Sequence, residues 1–62
     1  MTAKYYIGVD TSDNEMCAYC LGREVNGVFE LLLTNVRADK NEFEEEVRNL
    51  AQYFNADITR ES

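Results

Sequence analysis

A chain of 62 residues with 45% hydrophobic side chains is long enough for one domain and too apolar to be a disordered segment. Its net charge of −6, from twelve acidic and six scattered basic residues, argues against a nucleic-acid backbone or an anionic membrane as the main partner. No apolar run approaches the ~20 residues that span a bilayer, and Met1-Thr2-Ala3-Lys4 lacks the apolar centre of a signal peptide, so the expected location is the cytoplasm.

Tyr5-Tyr6-Ile7-Gly8-Val9-Asp10 reads as a first strand over about 4–10, with Tyr5, Ile7 and Val9 on one side and Gly8 interrupting the other. A glycine inside a strand weakens it unless another group must approach closely. Thr11-Ser12-Asp13-Asn14 is a polar cluster of the kind that reverses the chain. A second strand follows over about 15–25 and a third over 28–36, joined by Asn26-Gly27. An Asn-Gly pair between strand-like runs signals a two-residue turn, because both central positions need positive φ.

The hinge predicts a register in which Val25 opposes Val28, Glu24 opposes Phe29, Arg23 opposes Glu30, Gly22 opposes Leu31, Leu21 opposes Leu32 and Cys20 opposes Leu33. Opposed residues share a face. One face then collects Met16, Ala18, Cys20, Gly22, Phe29, Leu31 and Leu33, and is expected to be the core. The other carries Tyr19, Leu21, Val25, Val28 and Leu32, and is expected to stay open.

Cys17 and Cys20 have C-x-x-C spacing, but strand residues three apart point to opposite faces and lie about 10 Å apart. That exceeds the ~7 Å limit for a disulfide. With no histidine in the chain, a tetrahedral metal site lacks its remaining ligands. Two reduced thiols and no cofactor are the expectation.

After Val36 the period changes. Phe43, Val47, Leu50, Ala51 and Phe54 form one stripe of an amphipathic helix over about 40–54. Asp39 with Glu42 resembles a capping box, with Asn41 and Glu44 as a competing start. Glu42, Glu44, Glu45 and Glu46 crowd the end where the helix dipole favours negative charge, and Asn55 is a natural stop. The fold class is therefore α+β: a single small domain over 1–62 with a three-stranded antiparallel meander and one helix on one face. The helix stripe is expected to pack on Met16, Ala18, Phe29, Leu31 and Leu33. The open residues Tyr19, Leu21, Val25, Val28 and Leu32 are then candidates for protein binding, either to a second copy or to another protein.

Tyr6-Ile7-Gly8-Val9-Asp10-Thr11-Ser12, the hairpin around Asn26-Gly27, and Phe43-Glu44-Glu45-Glu46-Val47-Arg48-Asn49-Leu50-Ala51 together resemble the opening of the ribonuclease H-like fold, closest to the nuclease domains of phage terminase large subunits. The tail Ala56-Asp57-Ile58-Thr59-Arg60-Glu61-Ser62 resembles the start of the fourth, parallel strand of such domains. The resemblance covers most of this chain and about the first half of such a domain. It implies a phage or mobile-element origin, hence a host cytoplasm, and a two-metal Mg or Mn site for phosphodiester cleavage. By the same resemblance Asp10 and Glu61 would be metal ligands, with Asp13 as a helper. The later acidic residue of such sites is missing, so a catalytic centre would need more than one chain. Actin-like ATPases open similarly, but Thr11-Ser12-Asp13-Asn14 has no glycine for a phosphate loop, and Asp13 would repel a phosphate. For Asp10 the alternative role is a carboxylate closing the first strand at a turn. The leading expectation is a non-catalytic interaction module, with the metal-dependent nuclease as the competing one.

Overall fold

A computed structural model describes residues 3–11 and 16–61. Its elements are β1 (Lys4–Asp10), β2 (Cys17–Val25), β3 (Val28–Arg37), α1 (Lys40–Phe54) and β4 (Asp57–Glu61). The sheet order is β3-β2-β1-β4, with β1, β2 and β3 an antiparallel meander and β4 parallel to β1. The α+β class, the helix bounds and the fourth strand are as expected from the sequence. Two further expectations, Glu15 as the start of the second strand and Asp13 as a helper carboxylate, fall outside the described residues.

Asn26 and Gly27 take φ of 55° and 78°, the two positive values that the tight turn requires. The pairs nearest the hinge follow the predicted register as far as Gly22 opposite Leu31. Beyond it a β-bulge intervenes. Leu21 pairs with Leu33, not with Leu32, and Cys20 pairs with Thr34, so Leu32 is the extra residue on β3.

The helix covers the face opposite to the expected one. Ile7, Val9, Cys17, Tyr19, Leu21, Phe43 and Val47 form the buried core, with Tyr5, Leu50, Ala51, Phe54 and Ala56 packed around it. Tyr19 and Leu21, expected on an open surface, lie under α1. Phe29 and Leu31, expected in the core, are 60% and 59% exposed. The reason lies in β1. Ile7 pairs with Leu21 and Val9 with Tyr19, whereas the alternate residues Tyr6, Gly8 and Asp10 pair with Gly22, Cys20 and Ala18. A core built on two glycines, an alanine and a cysteine has too little apolar volume to seat a helix, and the aliphatic side does.

The helix starts where Asp39 accepts hydrogen bonds from the backbone N–H groups of Asn41 (2.8 Å) and Glu42 (3.1 Å). These occupy donors that the first turn leaves without partners. It stops at Asn55 in the left-handed region (φ 53°), with the Ala56 N–H closing on the Ala51 carbonyl at 2.9 Å. Tyr5 stacks on Phe54 at 4.9 Å between centroids, and Tyr19 meets Phe43 at 5.8 Å, so ring contacts fasten both ends of the helix to the sheet.

Candidate functional site

The uncovered face of the sheet is built in rows set by strand register. Phe29, Glu24 and Lys4 form one row; Leu31, Gly22, Tyr6 and Asp57 the next. Then come Thr34, Cys20, Gly8 and Thr59, and last Val36, Ala18, Asp10 and Glu61. The first two rows stand high. The Phe29 ring lies across Gly22, where an added Cβ would run into it, and its centroid is 6.0 Å from that of Tyr6. The last two rows are low, because Gly8, Ala18, Cys20, Thr34 and Thr59 are small. They line a concavity of about 400 Å³. Gly8 leaves room there for the Cys20 sulfur, which an added Cβ would approach to 3.2 Å.

Charges sit at both ends of this face. Lys4 pairs with Asp57 at 3.3 Å and lies 5.8 Å from the Tyr6 ring centroid, while the Tyr6 hydroxyl donates to Glu24 at 3.3 Å. The hydrogen bond and charge of Asp57 raise the Lys4 pKa above its ordinary value. At the other end, Asp10 is level with Glu61 on the parallel strands β1 and β4. The structure thus brings together the two carboxylate positions suggested by the resemblance, at the carboxyl ends of neighbouring parallel strands, where open sheets in α/β proteins bind ligands. Among the described residues no group of three or more His, Cys, Asp or Glu side chains could hold a metal ion. Two carboxylate positions fall short of the convergent carboxylates that a two-metal clamp needs.

The residues expected to bind a partner separate. Tyr19 and Leu21 are core, Val25 is half-buried, and Val28 and Leu32 are exposed, Val28 beside the hairpin turn. Sequence reasoning missed Phe29 and Leu31, which join Val36 as the exposed apolar set. Cys17 is buried beneath the helix, whereas Cys20 is half-buried on the uncovered face, so the two thiols point to opposite sides of β2.

Sequence reasoning also missed a polar cluster where β2, β3 and α1 meet. Glu46 accepts hydrogen bonds from the Tyr19 hydroxyl (2.5 Å), the Asn35 amide (2.9 Å) and the Arg37 guanidinium (3.0 Å). The Tyr19 hydrogen bond, followed by those of Asn35 and Arg37, holds the Glu46 carboxyl below the ordinary carboxylate range; burial and Glu46 push the Tyr19 hydroxyl up. A depressed carboxylate contributes stability that is complete above its unfolded pKa near 4.5 and is lost as pH falls through the lower folded value. A raised tyrosine contributes stability that is complete below 10.0 and is lost as pH rises through the higher folded value. Urea midpoints of the native protein and Tyr19→Phe are therefore expected to differ most between these limits and to converge at both extremes. A gap independent of pH would remove the cluster from the account.

No helix among the described residues is long and apolar enough to cross a membrane. Comparison with protein families, with curated proteins and with solved structures gives no match for this chain.

Proposed function

We propose that this chain is a small acidic interaction module that binds another protein surface through the uncovered face of its sheet. The observation that carries this reading is the exposure of Phe29, Leu31 and Val36 on the same face as an apolar concavity, on a sheet whose other face is already packed by α1. Contiguous apolar patches of this kind mark interaction sites. The acidity keeps such a chain soluble before it meets its partner. A photo-crosslinking residue placed at Leu31 is expected to capture protein in cells expressing the chain, while the same residue at Tyr53, 82% exposed on the helix, captures none. Absence of any Leu31 adduct would end this reading.

The register of Asp10 with Glu61 favours a second one, metal-dependent phosphodiester cleavage of the ribonuclease H-like type, completed by carboxylates from another chain. It rests on fold-level analogy and on two acidic positions at adjacent strand ends. Asp10 and Glu61 would anchor a divalent cation that takes its other oxygens from water and substrate phosphate. Adding Mn²⁺ to isotope-labelled protein should then broaden the amide signals of Asp10 and Glu61 first, and Asp10→Asn should abolish that selectivity. Broadening centred on the acidic helix, or none, would exclude this second reading. The two proposals make opposite demands on Asp10, which the first places on a surface to be covered and the second on a site open to a nucleic acid.

A further inference from the structure

We infer that the occupant of the uncovered face is a second copy of this chain, packed face to face with its strands running antiparallel to those of the first; this rests on the interaction-module reading above. A two-fold axis lying across the strands, level with Ile7 on β1 and Leu21 on β2, exchanges the high and low rows. It sets Tyr6 over the partner's Gly8, Leu31 over the partner's Thr34 and Phe29 over the partner's Val36. Every large side chain meets a small or shallow one, and the raised half of each copy enters the concavity of the other. A two-fold interface requires one patch to complement itself in this way.

Size is consistent with a weak dimer. Four strands ~4.8 Å apart and about seven residues at ~3.3 Å give each face roughly 450 Å² in projection. Two faces with their corrugation reach about 1,000 Å², the lower bound for a specific interface. Each copy also carries a charge of −6, so the chains repel at long range and association strengthens as salt screens that repulsion.

Sedimentation equilibrium is the test. The native protein is expected to move from one-chain to two-chain mass between about 10 μM and 1 mM, corresponding to a dissociation constant in the micromolar range or weaker, with a tighter constant at higher salt. Leu31→Asp is expected to weaken association more than about 30-fold. Circular dichroism is expected to confirm that this variant folds. A single-chain mass at the highest concentration overturns the dimer, as does a dimer indifferent to Leu31→Asp. If the Leu31 crosslinker captures a different protein while the chain sediments as a monomer, the dimer falls and the interaction reading stands. If it captures nothing and the chain is monomeric, both fall.

Discussion

Leu21→Asp is expected to unfold this protein, and Leu31→Asp, ten residues away on the next strand, is expected to leave it folded. Leu21 is 1% exposed, between Ile7 on β1 and the helix residues Phe43 and Val47, with no described basic group in that core. An aspartate there either loses its hydration as an ion or takes up a proton at neutral pH; both routes cost several kcal/mol. The change also leaves the void of a missing leucine side chain. A penalty above about 4 kcal/mol consumes most of the stability available to a domain of this size. Leu31 projects from the uncovered face into solvent, so its aspartate keeps its water and the change is expected within about 0.5 kcal/mol when measured dilute. Urea titrations followed by far-ultraviolet circular dichroism read both. Reversed behaviour, with Leu21→Asp folded and Leu31→Asp unfolded, would return the helix to the side that the hairpin register alone suggests.

That contrast marks where the sequence can be read and where it cannot. The turn at Asn26-Gly27, the caps at Asp39 and Asn55 and the helix stripe are local devices, and each stands where its residue chemistry puts it. The fourth strand is implied only by the resemblance to the ribonuclease H-like fold, since Asp57-Ile58-Thr59-Arg60-Glu61 has little apolar content of its own. The choice of sheet face was not local. Leu31-Leu32-Leu33 is apolar at both parities, so β3 carries no information about which side is core, and the bulge at Leu32 changes its parity midway. The deciding information sat on β1, where Tyr5, Ile7 and Val9 alternate with Tyr6, Gly8 and Asp10. Pairing β1 with β2 aligns the aliphatic set with Tyr19 and Leu21, and the small set with Ala18, Cys20 and Gly22. The hairpin turn by itself does not carry that constraint. The Glu46 cluster was hidden for a related reason. It joins Tyr19, Asn35 and Arg37, which share the helix side only once the bulge has shifted β3.

Phe43→Ala is the second change expected to abolish the fold. Phe43 is fully buried, one turn before Val47 on the helix, and its ring meets that of Tyr19. Removing a buried phenylalanine costs about 3–5 kcal/mol, from lost apolar transfer and from the cavity left behind. A chain of this length has a total stability on the order of 3–9 kcal/mol at ~0.05–0.15 kcal/mol per residue, and small single cores rarely exceed the lower part of that range. A helix of fifteen residues is marginal alone in water and depends on packing, so loss of its docking ring should release it from the sheet. The sheet then has both faces bare, with Ile7, Val9 and Leu21 newly exposed on one side and Phe29 and Leu31 already exposed on the other. The expected result is loss of helical circular dichroism at 25 °C and a tendency to aggregate. Tyr53→Ala, on the outer side of the same helix, should leave the melting curve nearly unchanged. Phe54→Ala should fall between them, because its half-buried ring forfeits the stacking on Tyr5 but leaves a smaller void. A cooperatively folded Phe43→Ala with native helix content would mean that the sheet holds itself together without α1, and the core described above would have to be redrawn around the β1–β2 contact alone.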